Sequence, residues 1–306
     1  MSGINTRSTL PVLVSKKIIK DFLSTYDQWP SLINRVFDVV NSGGSFEFYQ
    51  ELGGFKKHQE KGEGVVSAQD TMVQGPETKI NNIAYALSYE ISHELIADNE
   101  YGKILSNVTS LAESAAETRE ILAFNVLNKG FVDLIADGQT LFSTAHPLLK
   151  PGSNGEITNA NRPVVGSSLS EASLTIDIDN IAAFLEPGGL KQMAKAMTLV
   201  NPQSLDVTAT KLLNSELEVN SSNNAINVFA RNRGMLPGNH VTSQFLTDQD
   251  TYFLRTNIKG LTFQEREKRR VMMDNLNRQM VQEVVSYFRV GQGVYNHRSI
   301  YANPGS

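Results

Sequence analysis

The chain has 306 residues, 40% hydrophobic and 20% charged, with 28 Lys and Arg against 32 Asp and Glu for a net charge of −4. That balance excludes a disordered or fibrous chain and lacks the basic footprint of a free nucleic-acid binder. No run approaches the ~18 apolar residues of a membrane span, and the absence of cysteine removes disulfides, thiolate metal sites and cysteine nucleophiles. The start, MSGINTRSTLPVLVSKK, has only a short apolar stretch, with Lys16 and Lys17 after it rather than before, so no secretory signal is expected.

Residues 1 to about 40 carry mixed charge. Ser15 to Leu23 sets Ile18, Ile19, Phe22 and Leu23 at helical spacing and predicts a short helix. Trp29-Pro30 breaks it, because proline disfavours helix in the residue before it. An arm this polar buries no core of its own. It is expected to lie against a partner or a neighbouring subunit, the alternative being a flexible terminus. SFEFYQEL, from Ser45, alternates Phe46 and Phe48 with polar residues. Ile83, Tyr85, Leu87, Tyr89 and Ile91 occupy every second position, the pattern of a half-buried strand. The two segments are expected to form strands joined by GGFKKHQEKGEGVVSAQDTMVQGPE, far longer than the roughly two to five residues of a hairpin turn. So polar a loop must reach outward and order on another molecule, or stay mobile.

Tyr101 to Phe131 reads as one long helix of ~45 Å. Ile104, Val108, Leu111, Ala115, Leu122 and Val126 form a stripe near the 3.6 period, with Thr118 filling the gap. Asp98 or Asn99 can cap its start and Gly130 can stop it. Its middle is rich in small residues and permits close packing. Asp137-Gly138 marks a turn, and residues 150 to 168 read as a surface loop. Ser168-x-x-Glu171 has a capping-box pattern and predicts a helix to about Leu185, ended by Pro187-Gly188-Gly189. AMTLV, from Ala196, predicts a short buried strand, and QSLDVTATKLLN a helix. Asn220 to Asn224 is a polar loop. Strands are predicted at about 226–230, 241–246, 251–256, 261–266 and over Gln279 to Val290, while Arg269 to Met280 fits strand or helix.

Catalytic signatures are weak. Ser143-Thr144-Ala145-His146 holds a nucleophile and a base close in sequence, but a hydrolase needs them to meet in space with a third group orienting the base, and no G-x-S-x-G elbow is present. The histidines (His58, His93, His146, His240, His297) show no metal-ligand spacing. GGFKKHQEKGEG lacks the phosphate-cradling G-x-x-x-x-G-K-[ST] pattern, and Asp248-Gln249-Asp250 reads as a turn. No residue is assigned a catalytic, cofactor-binding or metal-binding role, and no cofactor is expected.

The order of elements resembles a known family. A polar arm, a long two-stranded loop, a spine-like helix, an α/β middle and returning strands resemble the tailed-phage major capsid protein of the Hong Kong 97-type fold. AFNVLNKGF followed by DGQTLFSTAHPL is similar to the end of the spine helix in Mu-like major head subunits. SSLSEASL and MTLVNPQSLDVTATKLLNS resemble the start of their axial domain. LTDQDTYFLRT and IKGLTFQERE resemble the return to the peripheral domain. The likeness covers most of residues 45 to 290.

The resemblance implies an α+β fold with an N-terminal arm (1–44), an extended loop (45–90), a peripheral domain (91–170 and 257–306) and an axial domain (171–256). It implies a structural, non-enzymatic shell subunit forming hexamers and pentamers of an icosahedral virion capsid around double-stranded DNA, assembled in the host cytoplasm. Scaffolding, portal and decoration proteins are the implied partners besides itself, with no membrane. The long scaffolding segment fused to some members is missing from this sequence. Some members cross-link a loop Lys to a distant Asn. Lys56, Lys57 and Lys61 lie in the loop, but no Asn or carboxylate catalyst is identifiable, so that chemistry is not carried over. From Lys259 onward eight basic residues face four acidic ones, either a charged subunit contact or solvated strand edges. An encapsulin-like cellular container is the related alternative, and a soluble hydrolase using Ser143 and His146 the alternative of another class.

Overall fold

The computed structural model describes residues 10–92, 94–95, 98, 101–152, 154–215, 227–231, 235–274 and 281–306. Two four-stranded sheets organise it. The first runs in the order β1 (Asp38–Asn41), β10 (Leu261–Met273), β11 (Val281–Val294), β4 (Ile83–Ser92). The second runs β12 (Ile300–Asn303), β9 (Tyr252–Thr256), β7 (Ala196–Pro202), β8 (His240–Ser243). β10 and β11 form a long antiparallel ribbon. β4 adds to it antiparallel, with Tyr85 opposite Phe288, and β1 adds parallel along the other edge.

The second sheet is buried on both faces, which explains why AMTLV reads as a continuous apolar run rather than an alternation. Successive side chains point to opposite cores. Leu199, Tyr252, Leu254 and Tyr301 join one core with helix α4 (Glu171–Ala182) and helix α5 (Asp206–Asn214), while Val200, Phe253, Ile300 and Ala302 join the other.

That other core is built on α3 (Tyr101–Asn128), a rod of 28 residues. Ile104, Val108, Leu111, Phe124 and Leu127 are buried on its inner face, and Ala112, Ala115, Ala116 and Ala123 keep that face thin. Beyond its end, Gly130 is required by packing: a Cβ there would lie 2.4 Å from the Phe142 ring. Asn99 lies outside the described residues.

The arm departs from expectation. Helix α1 runs over Leu10–Gln28, and Ile18, Phe22 and Tyr26, four apart, are buried against α3 of the same chain. Tyr26 is held between two guanidinium groups, its ring 4.2 Å from that of Arg269 and its hydroxyl accepting from Arg119. Arg119 also pairs with Glu265, and Arg269 with Asp27. A short helix α2 (Ile33–Val36) follows. The buried Glu120 carboxylate takes Ser31 Oγ at 2.6 Å and the Leu32 amide at 3.1 Å just before it. The sequence shows a polar segment, and one apolar stripe on it suffices for docking in cis.

The hairpin also differs. β2 (Phe46–Gly53) pairs with β3 (Val73–Asn81), not with the strand at 83–91, which belongs to the first sheet as β4. β3 has no apolar alternation and carries Gly75 and Pro76, so it reads as loop. A strand beside a single partner needs neither a buried face nor a full set of donors. Residues 55–72 are exposed throughout.

Smaller corrections have local causes. The helix at 171 is capped by Ser170, not Ser168. Ser170 Oγ accepts from the Ser173 amide at 3.2 Å and Ser173 Oγ accepts from the Ser170 amide at 2.9 Å. It stops at Ala182, short of Leu185. The strand predicted at 226–230 is a short helix, α6 (Val228–Arg231), where Asn227 Oδ1 accepts from the Phe229 amide at 3.0 Å. Arg269 to Met273 is strand, and 275–280, like the loop at 220–224, lies outside the described residues. β12 pairs with β9, placing 300–303 in the second sheet, apart from the 257–299 stretch with which the sequence reading grouped it.

Candidate functional site

Ser143 and His146 are both buried, but they are not partners. Ser143 Oγ accepts from the Ala145 amide at 3.2 Å and lies 3.5 Å from Gln139 Oε1. His146 engages Asp137 Oδ2 through Nδ1 at 2.6 Å, and Leu141 O and Asn161 Oδ1 through Nε2 at 3.2 and 3.1 Å. Neither ring nitrogen is left to activate a hydroxyl. Asn161 is fully buried and structural. Its Nδ2 donates to Leu141 O at 2.7 Å, His297 O at 3.2 Å and Ile300 O at 3.3 Å. His146 stacks on His297, ring centroids 3.9 Å apart and planes within 5°. Burial, with Arg298 and His146 adding to it, pushes His297 well below the ordinary imidazole range. Asp137, His146 and His297 together offer three ligand atoms within 4.8 Å of one another.

The base of the hairpin is clamped by residues that sequence reading did not single out. Lys150 Nζ, buried, donates to Gly54 O at 3.1 Å and to Asp70 at 2.9 and 3.0 Å. The Lys56 amide donates to Asp70 at 2.7 Å, so the two ends of the loop meet at one carboxylate. Arg298, also buried, donates to Leu185 O at 2.7 Å and pairs with Glu51 on β2. Tyr49 stacks on Tyr295 at 4.7 Å and accepts from Gln264 at 2.8 Å. Backbone presses close as well: a Cβ on Gly188 would lie 2.7 Å from Gly54 O.

The hydrogen bond from Lys150, and next the one from Lys56, lower Asp70 from 3.8 to about 2. A depressed carboxyl contributes stability above its unfolded value of 3.8 and loses it as pH falls through about 2, so the anchor holds at neutral pH. Lys150→Ala is therefore expected to make trypsin cleave after Lys56, Lys57 and Lys61 several-fold faster at pH 8, with the melting of the body little changed. Unchanged cleavage would remove Lys150 from this role.

A third buried cation joins the two sheets. Arg255 on β9 donates to Val36 O at 2.9 Å, Thr256 O at 2.8 Å, Ile258 O at 2.6 Å, Ser299 O at 2.8 Å and Asp38 Oδ2 on β1 at 2.9 Å.

The family model of the Mu-like prophage major head subunit gpT matches residues 13–168, just over half of the chain. The chain belongs to that family. It is a tailed-phage major capsid protein, and the family's task is structural rather than enzymatic. The head subunit is also similar to solved structures. The procapsid of bacteriophage JBD30 matches with TM-score 0.53 and 17% identity, over 97% of this chain and 75% of that one. A virus-like particle from Pyrococcus furiosus matches with TM-score 0.55 and 10% identity, over 94% and 97%. The capsid of Myoviridae phage XM1 matches with TM-score 0.52 and 14% identity, over 90% and 91%. At these identities the likeness shows the fold, which is the Hong Kong 97-type. No curated protein matches the head subunit.

The head subunit leaves large apolar side chains in water. Phe48, Leu52, Phe55, Val65 and Val66 lie along the hairpin and loop, Val66 at 83% exposure. Val164 (88%) and Met193 (85%) stand out elsewhere. Lys56, Lys57 and Lys61 are exposed on the loop. Asp248 closes its own turn, as expected, accepting from the Asp250 amide at 3.0 Å and Thr251 Oγ1 at 2.7 Å. His240 sits 3.3 Å from Asp206, away from His146, and His93 lies outside the described residues. Among the described residues no helix is long and apolar enough to cross a membrane.

Proposed function

We propose that the chain assembles with copies of itself into hexameric and pentameric rings that close an icosahedral shell around packaged double-stranded DNA. The membership of residues 13–168 in the head-subunit family carries this reading and favours it over an encapsulin-like container, because the fold alone is shared by both. The same reading assigns the domain roles. The first sheet and α3 form the peripheral body (91–170 and most of 257–306), and the second sheet with α4 and α5 forms the axial body (171–256, joined by β12). The β2–β3 hairpin is the extended loop, and α1 and α2 the arm, while β1 and β4, which the sequence grouped with arm and loop, join the peripheral body through the first sheet. Closed point-group symmetry then builds rings from one heterologous contact repeated. A net charge of −4 suits a lining that must release its DNA, since strong phosphate contacts would impede packing and ejection. Scaffolding, portal and decoration proteins, and assembly in the host cytoplasm, complete the proposal. Sedimentation velocity of the purified chain, alone and with a co-expressed scaffold, tests it. Ring-sized or larger closed species support the reading. A compact monomer under every condition overturns it.

A further inference from the structure

We propose that Asp137, His146 and His297 bind one first-row divalent transition-metal ion, of the Zn²⁺, Co²⁺ or Ni²⁺ type, at the junction of the spine-helix body and the C-terminal segment.

The donor set is two imidazoles and one carboxylate, which suits borderline ions rather than Mg²⁺ or Ca²⁺. Metal bonds near 2.0–2.2 Å place ligand atoms of a tetrahedral site roughly 3.3 Å apart. Here Asp137 Oδ2 stands 2.6 Å from His146 Nδ1 and 3.9 Å from His297 Nδ1, separations on either side of that value. The first separation must widen by about 0.7 Å and the second close by about 0.6 Å to reach it.

The two histidines are prepared differently. His146 has a carbonyl, Leu141 O, 3.2 Å from Nε2. A donor proton held there leaves Nδ1 as the coordinating atom, the arrangement in which an outer partner fixes the tautomer of a ligand. The ion then replaces the proton between His146 Nδ1 and Asp137. Among the described residues His297 has no hydrogen bond to its ring. Nδ1 is beyond reach of Asp137, and Nε2 is buried with no partner among the described residues. A buried polar atom left unpartnered in this way needs an explanation. The rings are parallel, so their Nδ1 lone pairs do not yet converge, and no hydrogen bond opposes a turn of His297 about Cβ–Cγ. An ion has a way in: a cavity of about 250 Å³ is walled by Asp137, His297, Glu51 and Tyr295, with room for a water in the fourth position.

The full chain, stripped with chelator and dialysed, is titrated with Co²⁺ followed by its visible d–d absorption, and with Zn²⁺ by calorimetry. One equivalent per chain is expected, with a raised melting temperature. His297→Ala is expected to weaken uptake by more than the roughly 10- to 100-fold that loss of an outer-shell partner costs. His297→Gln serves if the alanine variant fails to fold. No uptake by the natural chain, uptake unchanged in the His297 variant, or uptake lost instead in His240→Ala would each overturn the proposal. Shell formation is read separately by sedimentation, so failure of one leaves the other standing.

Discussion

Replacing residues 57–69 with a two-glycine link leaves the subunit folded and abolishes shell formation. Every residue from 55 to 72 is exposed, and the segment contributes nothing to either buried core. Shortening it changes only loop-closure entropy, so the melting free energy moves by about 1 kcal/mol or less. The ends are already joined, since the Lys56 amide meets Asp70 at 2.7 Å. What is lost is Val65, Val66 and the charged rim around them, surface that the folded chain leaves for other molecules. Circular dichroism and thermal melting check the fold, and sedimentation checks assembly. Normal shells from the shortened chain would mean that this loop is not a subunit coupler.

Arg255→Ala gives the largest loss of stability. The guanidinium makes five hydrogen bonds, four to main-chain carbonyls and one to Asp38, and it spans from the second sheet to the first. Burial pulls its pKa below the ordinary value, with Asp38 opposing the shift. Truncation leaves the carboxylate and the carbonyls without their donor, and removing one partner of a buried pair costs about 3–5 kcal/mol. That is a large part of the ~5–15 kcal/mol that stabilises a folded protein. Arg255→Lys restores less than half, because three ammonium protons cannot serve five acceptors placed for a planar fork. Urea melts of the two variants against the natural chain decide the matter. Loss below 1 kcal/mol in the alanine variant would mean the sheets are joined by packing alone.

Much of this fold is legible where side chains alternate or repeat. The stripe on Tyr101 to Phe131 and the apolar AMTLV each mark an element, because burial imposes its period on the sequence. Ile83 to Ile91 alternates as a strand does, but Ile83 and Leu87 stand exposed and Ile91 is the member of that set that is buried, so the half-buried face the alternation predicts is realised at one end of the strand. β3 is not legible, since its one buried apolar residue, Ile80, stands alone among exposed Gln74, Pro76, Glu77 and Lys79 and sets no period. Docking of α1 is half legible: Ile18 and Phe22 are visible as a stripe, but nothing local says that α3 of the same chain receives it. Ser170 loses to Ser168 in a sequence reading because both stand near an acidic first turn, and only backbone geometry separates them. The clamps are the least legible part. Lys150, Arg255 and Arg298 find their partners far along the chain, and each sits in an ordinary local context. The stacked His146–His297 pair is likewise a product of the fold, with no spacing to announce it. The family resemblance, by contrast, rests on the order of elements, which survives when individual motifs are weak.

On the proposed function, this chain builds a closed shell whose ring axes are lined by the second sheet and its helices. Electron microscopy of particles assembled from the purified chain, with three-dimensional reconstruction, tests it most directly. Five- and six-fold rings are expected, with residues 196–256 nearest each axis and residues 55–72 lying over a neighbouring subunit. Unassembled monomers, or rings with α1 and the first sheet at the axis and the loop folded back on its own chain, would contradict it.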